Sequence, residues 1–285
     1  MSYRKKHIKK KINKIKPKKS IFKKLWFWII ILSIIIVLSV FYFAFFYSGF
    51  QVKNINISGN SRIKTEDLRN LVSENSNTNL VDFFGIKITS RSILLINNKK
   101  ISNNILEKFP EIEKISANRN FPHDLTINVV ERNPIGVFCP QADSNSNNCY
   151  LIDANGVIFE PFLIAPANIL IVRQKTNNEQ ILGKKSVPQN IIDSILRIKK
   201  LLEDNFKINL KEAFIADSLK LNITTGENWQ IYFDLGTDSN INAQITKLNL
   251  LLQGEITQDS RKNLRYINLI PEDRAVVCDN KICGG

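Results

Sequence analysis

The sequence predicts an α+β protein that begins with one membrane-spanning helix and continues in two small domains of strands and helices. Three observations predict this architecture. Residues 25–48 carry no charge, residues 110–134 hold two alternating apolar runs bounded by prolines, and residues 135–283 alternate short apolar strands with two amphipathic helices. Each pattern corresponds to one type of element, because the hydrophobic period differs between spans, strands and helices.

The first 24 residues form a basic tail with twelve Lys and Arg and no acidic residue. The rest of the chain carries 28 basic and 26 acidic residues, so the net charge of +14 belongs almost entirely to the tail. This distribution does not indicate a body that binds nucleic acid. Two interpretations of the tail stay open: it sets membrane topology alone, or it also contacts anionic lipids.

The uncharged run of residues 25–48 is long enough to cross a membrane as a helix, since about 20 apolar residues suffice. It exceeds the apolar core of a cleaved signal peptide, and no A-x-A cleavage site follows it. We therefore expect a retained anchor. The basic tail precedes the span, which predicts a cytoplasmic N-terminus, a single pass and export of residues 49–285.

The exported chain begins with a strand over residues 50–60, followed by an amphipathic helix. Residues 76–100 are expected to be irregular, although residues 92–96 ("SILLI") could form a strand or part of a helix. A second short helix, with Ser102 as its cap, should stop at Phe109, because Pro110 disfavours the helical conformation in the residue before it.

The segment 110–134 predicts an antiparallel hairpin with one apolar face. Alternate residues from Ile115 to Phe121 share one side of the first strand, and alternate residues from Leu125 to Val129 share one side of the second. Pro134 is expected to end regular pairing, because it lacks a ladder donor. The edge of such a small sheet offers unpaired backbone groups to which a strand of another chain can add.

The second exported domain is predicted to be a mixed sheet with two helices. A hairpin over residues 149–160 turns at Asp153 and Gly156, which favour an Asx turn and a positive φ. Amphipathic helices are expected over residues 187–205 and 241–255, and the chain closes as a strand, a turn and a strand.

These segments together resemble the FtsQ/DivIB family of bacterial cell division proteins, which carries a POTRA domain. The residues that follow the family pattern in register are Pro110, Ile112, Ile115, Ala117, Arg119, Phe121, Pro122, Leu125, Ile127, Val129, Glu131, Arg132 and Pro134. The segment "CYLIDANGVIFE" is similar to a second family segment. The resemblance implies a basic cytoplasmic tail (1–24), a transmembrane helix (25–48), a β-α-α-β-β POTRA domain (50–134) and a β domain (135–283).

The resemblance also implies a function. Such a protein is a non-enzymatic scaffold in the cell membrane at the division site, with no cofactor, and its β domain binds division proteins of the FtsB and FtsL type (DivIC and FtsL). An alternative is a POTRA-bearing component of protein export or envelope assembly, although that class usually has several POTRA repeats and a barrel. A third is a membrane-anchored cell-wall enzyme that uses Cys139.

The family's partner-binding strand follows its final turn. That strand is expected here at Asp273, Arg274, Ala275, Val276 and Val277. Alternation places Arg274 and Val276 on one face of the strand and Ala275 and Val277 on the other. The sequence departs from the family at Ile270, where the family pattern has arginine, so the role of that arginine does not transfer.

Four exported cysteines, Cys139, Cys149, Cys278 and Cys283, fall in two close pairs. Four cysteines allow three disulfide connectivities, of which the two local pairs are the simplest. Their spacings and the single exported histidine argue against zinc. A thiolate at Cys139 activated by His123 is the best catalytic candidate, but a turn histidine and a disulfide are the simpler interpretation. We therefore expect no catalytic, metal or cofactor site.

Overall fold

The computed structural model describes residues 24–83, 86–141, 149–162, 169–176, 180–217, 220–236, 240–280 and 283. The basic tail and the polar loop between Cys139 and Cys149 therefore lie outside the described residues, apart from their ends. The helices are α1 Leu25–Phe46, α2 Thr65–Asn75, α3 Asn98–Lys108, α4 Gln189–Phe206, α5 Ile241–Gly254 and α6 Gln258–Arg261. The strands are β1 Asn54–Ser58, β2 Thr78–Phe83, β3 Ile86–Ser90, β4 Ile112–Asn120, β5 Asp124–Glu131, β6 Pro134–Gln141, β7 Cys149–Asp153, β8 Ile158–Phe162, β9 Ile171–Lys175, β10 Leu210–Asp217, β11 Lys220–Thr225, β12 Gln230–Asp234, β13 Leu264–Asn268 and β14 Val276–Asp279.

Helix α1 is the predicted span. It has 22 residues, a mean hydropathy of 3.0 and no buried residue, which fits a helix that crosses a membrane by length and composition. At about 1.5 Å per residue it is about 33 Å long, enough for a hydrocarbon core of about 30 Å. Backbone contacts place it in one compact unit with residues 77–96 and 120–124.

Residues 76–100 are more ordered than the sequence predicted. Strands β2 and β3 pair as an antiparallel hairpin from Thr78 with Ser90 to Phe83 with Ile86. The prediction of irregular structure was wrong for β2 and β3, because the sequence of this isolated hairpin shows no continuous apolar alternation on one face, whereas residues 91–97 form neither a strand nor a helix. Helix α3 also begins earlier than expected: Asn97, not Ser102, caps it by accepting a hydrogen bond from the Lys100 N–H. It ends at Lys108, before Pro110, as predicted.

The second compact unit contains residues 55–76, 97–119 and 125–285. Its smaller sheet has the order β1-β5-β4, and α2 and α3 pack against each other. The apolar faces are buried as the periodicities predict. They consist of Leu68, Leu71 and Val72 on α2, Ile101 and Ile105 on α3, and Leu125, Ile127 and Val129 on β5. This is the β-α-α-β-β arrangement of the predicted POTRA domain, and the β2–β3 hairpin follows α2 and precedes α3 in the sequence.

The larger sheet of this unit has nine described strands in the order β14-β13-β12-β11-β10-β9-β6-β7-β8. Three neighbouring pairs are parallel, β9 with β10, β6 with β9 and β12 with β13, and the remaining pairs are antiparallel. The sheet is therefore mixed, as predicted. Pro134 begins β6 instead of ending regular pairing, a position where a missing N–H is tolerated.

The core of the larger sheet lies between its strands and helices α4 and α5. Helix α4 buries one apolar face that includes Ile192, Ile195, Ile198 and Leu202, and Trp229 is fully buried in the same cluster. Gly156 turns the β7–β8 hairpin at φ 78°, and a Cβ there would clash with the Val187 carbonyl. The observed architecture is thus α+β with an N-terminal apolar helix. The predicted boundary between residues 134 and 135 remains a prediction, since residues on both sides of it share one compact unit.

Candidate functional site

Strand β14 lies at one end of the nine-stranded sheet and pairs with β13. It runs from Val276 to Asp279, so the predicted strand Asp273–Val277 was placed too early. Residues from Pro271 to Asp273 bend the chain before the strand, and Asp273 is exposed. The bend at Pro271, Glu272 and Asp273 extends into the first residue of the predicted strand.

The side chains around β14 alternate between the core and the surface. Ala275 and Val277 pack against the main core, while Arg274 is exposed and Val276 is 38% exposed. One face of the segment thus anchors it to the sheet. The outer edge beyond Val276 is where a further strand could pair, since β14 ends the strand order of the described sheet.

The turn before β14 is held by Lys247 from helix α5. Its Nζ donates to the carbonyl oxygens of Pro271 and Glu272, each at 2.8 Å. The Ile270 N–H donates to Asn268 Oδ1 at 3.0 Å. Lysine thus supplies a cation to the turn that follows Ile270, the position at which the family pattern has arginine. Sequence reasoning missed Lys247, because nothing local connects it to a turn 24 residues later.

The far end of β14 is fixed by a disulfide. Cys278 is bonded to Cys283, and the carbonyl oxygen of Cys283 accepts a hydrogen bond from Arg265 Nη1 at 3.0 Å. The second disulfide joins Cys139 on β6 to Cys149 on β7. The structure therefore has the two local pairs, the simplest of the three connectivities. The edge strand is held at both of its ends.

Two tyrosines lie on the strands that precede β14 in the sheet. The rings of Tyr232 and Tyr266 have centroids 5.5 Å apart, and the Tyr232 hydroxyl bonds to the Gln230 side chain. Burial raises the pKa of Tyr232, and the neighbouring Tyr266 raises it further, so Tyr232 stays neutral. Tyr266 is the register partner of Cys278 on β14. This pair adds an aromatic surface beside the edge, which the sequence did not reveal.

The POTRA motif residue Glu131 binds the loop that leads into α2. Its carboxylate accepts hydrogen bonds from the backbone N–H groups of Ser61, Arg62 and Ile63 at 2.8 to 3.1 Å, and from the Ser61 hydroxyl at 2.9 Å. Burial alone would raise the pKa of Glu131, but these hydrogen bonds outweigh it and lower the pKa to about 2. Glu131 therefore stays ionised and ties β5 to the start of α2.

The next motif residue, Arg132, connects the smaller sheet (β1-β5-β4) with the larger sheet. Its Nη1 lies 2.5 Å from Asp153 Oδ2 at the end of β7, and its Nε donates to the Pro110 carbonyl at 3.0 Å. Asp153 Oδ1 accepts from the N–H groups of Asn155 and Val157, both at 2.9 Å. Since the side chains of Arg132 and Asp153 are 11% and 4% exposed, this is a largely buried ion pair.

A second contact with the β7–β8 hairpin involves Arg62, whose ion pair with Glu160 is exposed to solvent. Its Nη1 lies 3.6 Å from Glu160 on β8, its guanidinium stands 5.5 Å from the ring centre of Phe159, and its Nη2 donates to the Arg132 carbonyl at 2.5 Å. The motif residues Glu131 and Arg132 thus form one polar network with Arg62 and the β7–β8 hairpin. This network joins residues on both sides of the predicted domain boundary.

The remaining motif residues are at the surface. Arg119 and Pro122 are exposed, Phe121 is 60% exposed, and the Phe121–Pro122 peptide bond is cis. They lie at the end of the β4–β5 hairpin. Of the alternating residues predicted on one side of this strand, Ala117 is buried, whereas Arg119 and Phe121 are exposed.

The catalytic candidates do not assemble into a site. The Cys139 sulfur is bound in a disulfide, and Cys139 is buried. His123 Nδ1 lies 2.9 Å from Asp124 Oδ1, and hydrogen bonds from Asn54 and then from His123 lower the pKa of Asp124. Among the residues that the structure describes, no group of three His, Cys, Asp or Glu side chains could hold a metal ion.

Comparison with known families identifies one domain. Residues 79–132 match the family model of the POTRA domain, FtsQ-type. The chain therefore contains an FtsQ-type POTRA domain, and this domain together with the N-terminal apolar helix fits an FtsQ/DivIB-like protein. No curated protein matches the chain.

Proposed function

We propose that this FtsQ/DivIB-like chain is a non-enzymatic, single-span scaffold of the bacterial division machinery. It holds exported domains near the membrane, where they bind other division proteins and help to recruit them to the septum. The observation that supports this proposal most directly is the match of residues 79–132 to the FtsQ-type POTRA domain, a family that is generally non-enzymatic.

The proposed topology has the N-terminus in the cytoplasm and residues 49–285 outside the cell membrane. Twelve basic residues precede α1, and the first charged residue after it is Lys53. Basic residues are retained on the cytoplasmic side of a span, so this asymmetry favours one orientation.

The proposed partner site is the outer edge of β14. A partner strand would pair with the backbone of β14, and alternate pockets would select its side chains. Exposed Arg274 would contribute a charge contact to an acidic segment of the partner. The partners expected by the family resemblance are membrane proteins of the FtsB and FtsL type. Lys247 and the Cys278–Cys283 disulfide would hold the two ends of β14, so that its outer backbone groups are positioned to pair with a partner strand.

Proline substitution of the full-length protein tests the edge directly. Neighbouring N–H groups of a strand point to opposite sides, so one of V276P and V277P, which both lie within β14, removes an outward donor. We expect that variant to fold and to lose co-purification of division proteins from native membranes, measured by quantitative mass spectrometry. The matched control is V276T, which keeps the N–H and the branched shape and should retain the partner.

If both proline variants fold and keep the partner, β14 is not the site.

Depletion of this protein from cells tests the broader proposal. Cells that form filaments without septa support a division scaffold, whereas loss of outer-surface proteins would indicate the export alternative, and altered wall cross-links at normal cell length would indicate an enzyme.

A further inference from the structure

The C-terminal end of the apolar helix is bound by side chains that follow it in the sequence. Ser90 Oγ donates to the Phe45 carbonyl at 2.6 Å, and Ser92 Oγ donates to the Ala44 carbonyl at 2.9 Å. Gln51 Nε2 adds a second hydrogen bond to the Phe45 carbonyl, at 2.8 Å. The last four carbonyl groups of a helix have no partner within it, and these bonds satisfy two of them. The end of α1 is therefore attached to two later segments of the chain.

Backbone hydrogen bonds hold the same two segments together. The Ile93 N–H donates to the Phe50 carbonyl at 2.8 Å, and the Val52 N–H donates to the Arg91 carbonyl at 3.1 Å. The Arg91 N–H donates to Gln51 Oε1 at 3.1 Å. Gln51 thus bonds both to the end of the helix and to the segment beside it.

The tip of the β4–β5 hairpin is bonded to the chain just beyond these residues. The Lys53 N–H donates to the His123 carbonyl at 3.0 Å, and Asn54 Nδ2 donates to Asp124 Oδ1 at 2.8 Å. Asn54 and Asp124 are the first residues of β1 and β5, so both strands begin at this end of their sheet. Residues 120–124 accordingly belong to the same compact unit as α1.

The chain allows only a short distance between the hairpin tip and the end of α1. Gln51 reaches the Phe45 carbonyl, and Lys53 follows Gln51 by two residues, which extend over at most about 7 Å. Phe121 precedes His123 by the same number of residues. The headgroup layer on one side of a bilayer is about 5–8 Å thick. With α1 across the hydrocarbon core, the tip is therefore within reach of the headgroup layer.

Large apolar side chains are exposed in this unit beyond the helix. Phe121, at the hairpin tip, is 60% exposed, and Leu94, next to Ile93, is 41% exposed. Tyr47 is 47% exposed directly after α1, and its ring stacks on Phe43 with centroids 4.3 Å apart. Tyrosine favours the membrane interface, and the boundary between headgroups and acyl chains also accepts Phe and Leu side chains. These side chains thus have the chemistry of a surface that contacts lipid.

The exposed charges of this unit suit lipid phosphates. Among its described side chains beyond the helix, the fully exposed charged ones are Lys53 and Arg91, which are both basic. The carboxylate of Asp124 is half-buried and already bonded to Asn54 and His123. The outward charge is therefore positive, and a positive charge at headgroup level attracts phosphate groups.

We propose that Phe121, Leu94, Lys53 and Arg91 form a second membrane contact, the span-end rim, which lies in the outer interface of the bilayer. Its ligand is phospholipid: Phe121 and Leu94 contact the upper acyl chains, and the two basic side chains bind headgroup phosphates. The proposal rests on the membrane insertion of α1 in the proposed function. It assigns a role to the motif residue Phe121, whose side chain lies outside the core.

Site-specific photo-cross-linking to lipid tests the rim in the full-length protein. Benzoylphenylalanine replaces Phe121, Leu94, Ile36 or Val130 in four separate proteins, each reconstituted in nanodiscs of phosphatidylethanolamine and phosphatidylglycerol. Illumination links the probe to a lipid that it touches, and mass spectrometry of the intact protein measures the fraction that carries a lipid. We expect adducts at position 36, within α1, and at positions 94 and 121.

Val130 is the matched control for Phe121. It is a large apolar residue, 50% exposed, on the same β4–β5 hairpin. It lies six residues beyond Asp124, which is about 20 Å along β5 from the end at which that strand begins. Because this distance exceeds the thickness of the headgroup layer, we expect no lipid adduct at position 130.

The outcomes separate the inference from the function on which it rests. Adducts at position 36 without adducts at position 121 overturn the rim contact and leave the membrane anchor intact. No adducts at position 36 overturn membrane insertion itself. Adducts as frequent at position 130 as at position 121 also contradict the proposal, because the contact would not be confined to the rim. Circular dichroism and both disulfides are compared with wild type in each protein, so that a loss at position 121 cannot come from unfolding.

Discussion

Replacing Glu131 with Gln should destabilise the POTRA domain strongly at neutral pH. The wild-type carboxylate accepts three backbone N–H bonds and one hydroxyl bond, and its side chain is only 6% exposed. Glutamine has the same shape but offers one oxygen, and its NH₂ group would face backbone donors. Loss of a buried, charge-assisted network of this kind costs about 2–4 kcal/mol in the free energy of unfolding.

The pH dependence gives an independent magnitude. The pKa of Glu131 falls from 4.5 to about 2 on folding. A carboxyl group with a lowered pKa stabilises the fold above its unfolded pKa and loses that contribution as the pH falls. The difference between the two values corresponds to about 3 kcal/mol, lost between about pH 5 and pH 2. The Gln variant cannot titrate there, so the stabilities of wild type and E131Q should converge towards pH 2.

Urea unfolding of the full-length protein in detergent micelles, followed by circular dichroism from pH 7 to pH 2, measures both effects. The difference between wild type and variant removes contributions of carboxylates that both proteins share. E107Q, at an exposed position on α3, is the control and should differ from wild type by less than about 0.5 kcal/mol. A wild-type minus E131Q difference that stays constant from pH 7 to pH 2 would refute the role assigned to the Glu131 carboxylate.

Three further predictions address the ion pair, the edge strand and the topology. In a double-mutant cycle, R132A and D153N should each destabilise the fold by about 3 kcal/mol, and the double variant should lose about 2 kcal/mol less than the sum; additive effects in urea unfolding would show that the pair is not coupled. K247M should weaken partner binding about tenfold and lower the unfolding free energy by only about 1–2 kcal/mol, and unchanged affinity in a titration with the purified partner would count against it. A cysteine in place of Ser2 should stay unlabelled by a membrane-impermeant thiol reagent in intact cells. Labelling at this position would show that the N-terminus lies outside the cell membrane and contradict the proposed topology.

The sequence predicted elements whose pattern is local. The apolar span, the stop of α3 before Pro110 and the β4–β5 hairpin each follow from a run of residues with one period or one breaker. Gly156 also predicted the position of its turn correctly, because the residue there has a φ of 78°, which favours glycine.

Features that depend on distant residues were not predicted. Glu131 and Arg132 were recognised as motif residues, but their roles depend on Ser61 and Asp153, which are 70 and 21 residues away in sequence. The contact of Lys247 with the turn before β14 is of the same kind. No periodicity specifies such pairings, because they arise when separate elements pack together.

The position of β14 shows why boundaries are harder to predict than elements. Alternation placed Ala275 and Val277 on the core side and Val276 outside, which agrees with their burial. The same alternation cannot tell where backbone pairing begins, because a bend can precede a strand without changing the faces of its residues. The strand therefore starts at Val276 and not at Asp273.

The central claim is that the outer edge of β14 binds a division protein. Site-specific photo-cross-linking in living cells tests it most directly, with a benzoylphenylalanine in place of Val276 in one strain and of Ile181, which is 58% exposed, in another. We expect a cross-linked product at position 276 that contains a small membrane-anchored coiled-coil division protein, and no such product at position 181. Cells that divide normally yet yield no division protein cross-linked at position 276 would contradict the claim.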